Sequence, residues 1–326
     1  MRVTIADVAR QAGVSKTTVS RVLNSGAEVE AGTAARVHEV IAGLGYVPSS
    51  GAVGLARGSS RVIGMLTPSL TWPWMGEVLQ GVADTVERAG YGLLLFTCDR
   101  SADSIGRFTA QVSARAFDGL LVVAPEGTLV TLSALHRRGL PVVLIDDRGH
   151  RPGFPSVAIT NRAGGASAAR HLRALGRSRP LVIAGRREFG CVRERLEGFG
   201  EVLRPECVVA GEFTEDTGRT GVERALAEGR AFDCVFAHND LIAAGALAAL
   251  RAAGRTVPDD VAVVGFDDIP MARHTEPPLT TVRQPMRRMG ETAAGLLLAA
   301  LAGEVIPSEP VVLPTELVVR RSAPTA

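Results

Sequence analysis

The N-terminal residues restrict the fold most strongly, because two short helical patterns follow one another across a glycine. Thr4 precedes apolar residues at positions 5, 8 and 9, the spacing of an amphipathic helix, and Asp7 favours the positive end of that helix. Gly13 can adopt the left-handed conformation that ends such a helix. Ser15 then begins a second pattern with apolar positions 19, 22 and 23. We therefore expect a helix-turn-helix within residues 4–24.

The outward positions of the second predicted helix carry hydrogen-bonding side chains. We predict that DNA is contacted by these positions and by residues near the helix starts: Thr4, Ser15, Lys16, Thr17, Thr18, Ser20, Arg21 and Asn24. Lysine and arginine donate to guanine in the major groove, and threonine can contact a thymine methyl. Serine, threonine and asparagine also suit phosphates, which set the register of the complex. The alternative is a solvated helix face, but capping, turn and donor spacing together indicate DNA binding.

A third helical pattern runs from Ala31 to Leu44 and ends at Gly45, after which Tyr46 can reach a phosphate. The charge distribution agrees weakly with DNA binding. Residues 1–58 contain six basic and four acidic side chains, and the remaining 30 basic and 30 acidic side chains cancel.

Several protein classes are disfavoured by what the sequence does not contain. Its cysteines, Cys98, Cys191, Cys207 and Cys234, are widely spaced and the histidines are scattered, so we expect neither a disulfide framework nor a metal site, and no cofactor. There is no apolar run of about 18 residues and no basic-then-apolar leader. We expect a soluble, cytoplasmic protein.

From residue 61 onward, strand patterns alternate with helical patterns, which predicts parallel sheets covered by helices. The predicted strands are 62–66, 92–96, 119–123, 142–145, 180–184, 207–210, 234–237 and 261–265. The predicted helices are 77–89, 105–116, 129–138, one ending at 175, 191–203, 218–227 and 241–252.

Motifs along the whole chain resemble the lactose-repressor family of bacterial regulators. They include residues 4–24, Leu-Gly-Tyr-Val-Pro at 44–48, Gly-Phe-Asp-Asp at 265–268 and residues 278–285. The resemblance implies an N-terminal all-α helix-turn-helix headpiece and an α/β two-lobed core like a periplasmic binding protein, with two parallel doubly wound sheets. The expected division is a headpiece at 1–48, a hinge at 49–60 and a ligand-binding and dimerisation core at 61–326. The first lobe then covers about 61–158 and 285–311, and the second about 159–284 and 312–326.

In that family the hinge folds on DNA and places a leucine in the minor groove. The resemblance implies this role for Leu55, with Ala52 as a further DNA contact. Apolar wedges of this kind kink the duplex. A flexible tether is the alternative, because Gly51 and Gly54 each cost about 1 kcal/mol in a helix relative to alanine.

A ligand cleft is expected at the carboxyl ends of the strands, where open α/β sheets bind ligands. Strand ends and family positions together predict a set of ligand-binding residues: Trp72, Trp74, Asp146, Asn161, Arg195, Phe213, Asn239, Asp267 and Gln284. The tryptophans have loop packing as an alternative, and Asp240 and Asp268 are expected to cap helices. Phe189 and Cys191 stand where the family often has polar contacts. We expect His238 and His274 to be structural.

These features predict a ligand-responsive, sequence-specific DNA-binding regulator, most simply a repressor that a sugar or related polyol releases from its operator. A regulator that needs a purine or another metabolite as co-repressor is the alternative, and a solute-binding receptor is a more distant one. The sequence shows no nucleophile elbow, phosphate loop or metal constellation, so we expect no enzyme. The expected partners are double-stranded operator DNA, a small-molecule effector and a second copy of the chain, with a tetramer left open; no membrane contact is expected.

Overall fold

The computed structural model describes residues 3–25, 29–47, 59–97, 102–113, 116–124, 128–146, 153 and 155–325. In that part of the chain the helices are α1 (Ile5–Ala12), α2 (Lys16–Ser25), α3 (Ala31–Leu44), α4 (Met75–Arg88), α5 (Ala102–Ser113), α6 (Leu129–Arg137), α7 (Asn161–Ala174), α8 (Gly190–Gly200), α9 (Glu215–Ala227), α10 (Asp240–Ala252) and α11 (Met286–Leu301). The strands are β1 (Val62–Thr67), β2 (Gly92–Thr97), β3 (Gly119–Val123), β4 (Val142–Ile145), β5 (Ser156–Ile159), β6 (Pro180–Ala184), β7 (Cys207–Ala210), β8 (Cys234–Ala237), β9 (Ala262–Asp267), β10 (Thr280–Arg283), β11 (Val311–Leu313) and β12 (Glu316–Val318).

The helices α1, α2 and α3 pack around a small apolar core at the N-terminus. Val8, Val19 and Val37 are completely buried there. At the start of α1, the Asp7 carboxylate accepts hydrogen bonds from the backbone N–H of Thr4 at 3.0 Å and from its hydroxyl at 2.7 Å. Gly13 ends α1 with φ of 68°, in the left-handed region. The chain therefore folds into the predicted helix-turn-helix.

Two six-stranded sheets form the core among the described residues. The first has the order β11-β5-β4-β3-β1-β2, and the second has the order β12-β10-β9-β8-β6-β7. The paired strands are parallel except for β12, which runs antiparallel to β10. The central strands of each sheet, such as β3 and β4 in the first and β6 and β8 in the second, are buried, as expected where helices cover both faces. The predicted fold class is confirmed.

Within the described residues the chain passes between the sheets after β5, after β10 and between β11 and β12. All three connections leave the carboxyl end of a strand. The first and third are joined where they cross: the backbone N–H of Thr315 donates to the Thr160 hydroxyl at 2.9 Å, and that of Thr160 donates to the Leu313 carbonyl at 3.0 Å. The carboxyl ends of the strands that lead into the connections therefore lie where the two lobes are joined.

Several elements near these connections are absent from the predicted set. No strand is predicted for β5, β10, β11 or β12 and no helix for α11, because these elements are short or lie beyond the alternating pattern. The predicted helix 105–116 was also misplaced, since α5 begins at Ala102 and Ala116 lies outside it. Its packing residue Phe108 is buried against Phe117 and Phe96.

The helices α7 and α8 approach so closely that glycine is required on both sides of the contact. A Cβ atom on Gly165 would overlap the Arg195 carbonyl oxygen, and one on Gly198 would overlap the Arg162 carbonyl oxygen. The same reciprocal arrangement joins α4 to α11 and α9 to α10. This contact sets the position of α8, and thus of the side chains that α8 carries.

We predict that Gly165→Ala lowers the free energy of unfolding by about 1–3 kcal/mol, because the added methyl group must push α8 away from α7. Urea denaturation of the purified protein measures the change. Gly295→Ala is the matched control, since Gly295 lies in α11 with open space around it and alanine should stabilise that helix by about 0.5–1 kcal/mol. Equal stability of the two variants would contradict the close-packing argument.

Candidate DNA-binding face and effector cleft

The exposed side of α2 presents Lys16, Thr17 and Arg21 to solvent, while Val19 and Val22 are buried beneath them. Ser20 is half-buried on the same helix. This arrangement leaves two cationic side chains and a hydroxyl on one helix face, which suits base edges and phosphates in a major groove.

The other predicted DNA contacts differ in their surroundings. The Ser15 hydroxyl accepts from the backbone N–H of Thr18 at 3.0 Å and so caps α2. Tyr46 is half-buried against the headpiece core. Asn24 belongs to α2, but its side chain lies outside the described residues, as do Ala52 and Leu55.

In the first lobe, the loop after β1 places Trp72 and Trp74 side by side. Their rings stack with centroids 5.6 Å apart and planes inclined by 24°, and both half-buried side chains pack against the main core. Packing is therefore part of their role, and each retains some exposed surface. Asp146 directly follows β4 with φ of 56° and is also half-buried.

In the second lobe, Arg195 on α8 is 5% exposed, and its guanidinium group makes two hydrogen bonds and a cation–π contact. Its Nε donates to Asn161 Oδ1 at 2.9 Å, and its Nη1 donates to the His238 carbonyl oxygen. The guanidinium carbon lies 3.6 Å from the centroid of the Phe266 ring. A desolvated cation–π contact of this kind adds to the hydrogen bonds and fixes the side chain. The fold thus brings together Asn161 and Arg195, which lie on neighbouring helices.

Asn239 and Asp240 follow β8 and have distinct structural roles. The backbone N–H of Ile242 donates to Asn239 Oδ1 at 2.8 Å, so Asn239 caps α10. Asp240 is fully buried; it accepts from the backbone N–H of Ile269 at 2.9 Å and from the Thr281 hydroxyl at 2.5 Å. The expectation that Asp240 caps the helix is therefore wrong, because its carboxyl group is turned into the lobe instead.

Asp267 lies at the end of β9 and is 6% exposed. Its Oδ1 accepts a hydrogen bond from Nε2 of Gln284, which lies on the second connection between the lobes. The neighbouring Asp268 pairs with Arg283 at 2.7 Å and with Arg320 at 2.6 Å, so the expectation that it caps a helix is also wrong.

Carboxyl burial changes the ionisation of Asp240. Burial, followed by the nearby Asp267 carboxylate, raises the pKa of Asp240 well above its ordinary value of 3.8. His238 is fully buried beside Phe236, and burial together with the Arg195 charge lowers its pKa well below the ordinary value of 6.5. His238 is therefore neutral, and neither ring nitrogen has a hydrogen-bond partner among the described residues.

A second aromatic pair lies in the segments that follow β6 and β7 in the second lobe. Phe213 lies over Gly185, where a Cβ atom would overlap its ring, and Phe189 lies parallel to it with centroids 6.3 Å apart. The guanidinium carbon of Arg186 lies 5.6 Å from the Phe189 centroid, and its Nε lies 2.8 Å from Glu212 Oε1. Phe189 is not in the predicted ligand set, and the structure places it against Phe213, which is.

The candidate cleft residues therefore include two hydrogen-bonded pairs and two stacked aromatic pairs. The hydrogen-bonded pairs are Arg195–Asn161 and Asp267–Gln284, and Arg195 also donates to the carbonyl of His238, the residue before Asn239. Among the described residues, no group of three or more His, Cys, Asp or Glu side chains could hold a metal ion.

Two family models match the chain. Residues 4–49 match "Bacterial regulatory proteins, lacI family", and residues 169–323 match "Periplasmic binding protein-like domain". The HTH-type transcriptional repressor PurR of Photobacterium profundum is 32% identical over 98% of both chains. The HTH-type transcriptional regulator CelR of Thermobifida fusca is 34% identical over 98% of both chains. The chain belongs to the lacI family of bacterial regulatory proteins.

Solved structures agree with this assignment. The lac repressor dimer bound to operator and the anti-inducer ONPF matches with a TM-score of 0.90 and 28% identity, covering 99% of this chain and 100% of that one. The CelR–cellobiose complex matches with a TM-score of 0.75 and 33% identity, covering 98% and 100%. The lacI-family members are DNA-binding transcriptional regulators, and this chain is one of them. No helix in its described part is long and apolar enough to cross a membrane.

We predict that Asp240→Asn gains stability relative to the wild type as the pH rises above 3.8. The folded wild type holds the Asp240 proton more tightly than the unfolded chain does, so its stability falls as the pH rises towards the folded-state pKa. An asparagine can accept from the Ile269 N–H and donate to the Thr281 hydroxyl without titrating. Thermal unfolding over a pH series measures the difference.

Asp260→Asn is the control with the opposite sign. Hydrogen bonds from the backbone N–H and the hydroxyl of Thr256 lower the pKa of Asp260, so this carboxylate stabilises the fold increasingly as the pH rises from the folded-state pKa to the ordinary value of 3.8. The variant should therefore lose stability relative to the wild type as the pH rises towards 3.8, and the difference should stay constant above 3.8, where the difference for Asp240→Asn changes. Parallel pH profiles for the two variants would contradict the assignment for Asp240.

Proposed function

We propose that this lacI-family regulator is a repressor that binds operator DNA as a dimer and releases it when a sugar or related polyol occupies the cleft. The observation that carries the proposal is the pair of hydrogen bonds Arg195–Asn161 and Asp267–Gln284, together with the stacked pairs Trp72–Trp74 and Phe189–Phe213 near the strand ends. Guanidinium, amide and carboxylate groups pair with adjacent hydroxyls, and aromatic faces cover the apolar face of a sugar ring. The similarity to the CelR–cellobiose complex supports this chemistry.

We also propose which residues perform each role. DNA is contacted by Thr4, Ser15, Lys16, Thr17, Thr18, Ser20, Arg21, Asn24, Tyr46, Ala52 and Leu55. The effector is contacted by Trp72, Trp74, Asp146, Asn161, Arg195, Phe213, Asn239, Asp267 and Gln284. The functional division is a headpiece at 1–48, a hinge at 49–60 and a core at 61–326. A bacterial operator lies in the cytoplasm, so the proposed function assigns the protein to that compartment.

We propose a dimer because one headpiece contacts only part of an operator. A single recognition helix contacts a few base pairs, whereas two helices related by a two-fold axis read a pseudo-palindromic operator. The effector changes operator affinity if it binds one arrangement of the lobes better than the other. A coupling free energy of about 1–3 kcal/mol corresponds to a change of roughly 5- to 150-fold in operator affinity.

The cleft is proposed to bind rather than to catalyse. Its guanidinium and amide groups are already held by neighbouring oxygens, and Asp267 accepts from Gln284. The polar side chains in these pairs are suited to hydrogen-bonding the hydroxyl groups of a bound effector. A hydrolase would need an activated nucleophile next to a base.

The proposal is tested by selecting duplexes from a randomised library with the purified protein. The selected duplex is then titrated in the presence of cellobiose, maltose, other sugars, polyols and purines. We expect a pseudo-palindromic site and a roughly 5- to 150-fold loss of affinity with one carbohydrate. Tighter binding with a purine would instead establish the co-repressor alternative, and failure to select any duplex would refute the proposal.

We predict that Arg195→Ala abolishes the response to the carbohydrate while the affinity for the selected duplex is retained.

Arg21→Ala should weaken DNA binding while retaining the thermal shift that the carbohydrate produces. Arg219→Ala is the matched control for both, because this exposed arginine pairs with Asp216 and Glu223 on the surface of the second lobe. Joint loss of both activities in Arg195→Ala, with its unfolding temperature unchanged, would contradict the cleft assignment.

A further inference from the structure

The turn that follows β9 has an unusual backbone. Asp267 has φ of 115° and Asp268 has φ of 59°, and neither is glycine. Positive φ is uncommon for residues other than glycine, and it persists where the surrounding contacts determine the conformation. The contacts of these two aspartates therefore determine the conformation of the turn.

Asp268 is held by two arginines. Its side chain is 2% exposed; Oδ2 accepts from Nε of Arg283 at 2.7 Å, and Oδ1 accepts from Nη2 of Arg320 at 2.6 Å. Charge-assisted hydrogen bonds of this length are strong and directional. The buried carboxylate therefore fixes both guanidinium groups relative to the turn.

Of the two arginines, Arg283 lies next to both connections. It ends β10 and immediately precedes the Gln284–Pro285 connection to the first lobe. Its Nη1 also donates to Oε2 of Glu316 at 3.3 Å, and Glu316 begins β12 directly after the third connection. Arg320 lies beyond the other end of β12, where its backbone N–H donates to the Thr280 hydroxyl at 2.8 Å. Asp268 thus reaches the second and third connections through Arg283 and holds the far end of β12 through Arg320.

We propose that Asp268 is a positioning residue that transmits effector binding at Asp267 to the connections between the lobes. The inference rests on the proposed function, because it takes Asp267 as an effector contact. Asp267 is joined directly to Gln284, and its successor Asp268 is joined to Arg283 and Arg320. Any rotation of the turn that an effector selects must therefore move both connections together.

Hydrogen–deuterium exchange on the full-length protein, without effector or DNA, tests the mechanical part. Asp268→Asn removes the charge from both arginine contacts, so peptides that contain residues 284–286 and 314–317 should exchange faster than in the wild type. Asp233→Asn is the matched control. Asp233 is also largely buried and accepts from the backbone N–H groups of Ser178 and Arg179, but it precedes β8 at the amino end of that strand.

The control should change exchange near residues 178–180 and leave the connections at the wild-type rate. Unchanged exchange at both connections in Asp268→Asn would overturn the proposal, whether or not an effector has been found. If Asp268→Asn fails to fold, the exchange experiment is repeated with Arg283→Gln, which removes one of the two arginine contacts. The Arg283 side chain is 41% exposed, so this substitution leaves the buried core in place.

The functional part uses the selected duplex with cellobiose, or with the carbohydrate that releases the wild type most strongly. Asp268→Asn should bind the carbohydrate with an affinity within about threefold of the wild type. In this variant, however, the carbohydrate should change the affinity for the duplex by less than about twofold. Asp268→Glu keeps the carboxylate and should restore part of the response. Equal losses of carbohydrate affinity and DNA response would overturn the proposal, whereas a wild type that no compound releases would refute the proposed function instead.

Discussion

The cleft depends on the buried guanidinium of Arg195. This group joins the start of α7, the end of β8 and the ring of Phe266 through hydrogen bonds and a cation–π contact. Its position is set in turn by the close approach of α7 and α8, which Gly165 and Gly198 permit. A buried charge is tolerated only when its donors are satisfied, so the same contacts that stabilise the lobe also orient the group that is proposed to bind the effector.

Three aspartates near the end of β9 show how position determines the role of one side-chain type. Asp267 faces Gln284, Asp268 lies between two arginines, and Asp240 is buried against a backbone N–H and a hydroxyl. Burial and the neighbouring carboxylate raise the pKa of Asp240, which has no cation as a partner among the contacts described. The proposed effector contact, the proposed link between lobes and the buried Asp240 therefore lie within one small region of the second lobe.

Local patterns predicted the headpiece and the alternation of strands and helices well, because capping, glycine turns and burial periodicity act over a few residues. They failed at β5, β10, β11 and β12, whose short segments are strands only because other strands pair with them. The capping role expected for Asp240 and Asp268 failed for a similar reason. The competing partners, Ile269, Thr281, Arg283 and Arg320, approach these carboxylates only in the folded lobe.

The sequence by itself determined the helix-turn-helix with its exposed basic face, the α/β class of the core and the resemblance to a family of regulators. These features depend on neighbouring residues and on motif spacing. Only the tertiary structure decided that Arg195 bonds to Asn161, that Phe189 joins Phe213, and that Asp268 connects two lobe-spanning segments. Each of these contacts joins residues that are distant in the chain, and their geometry depends on the packing of whole helices and strands.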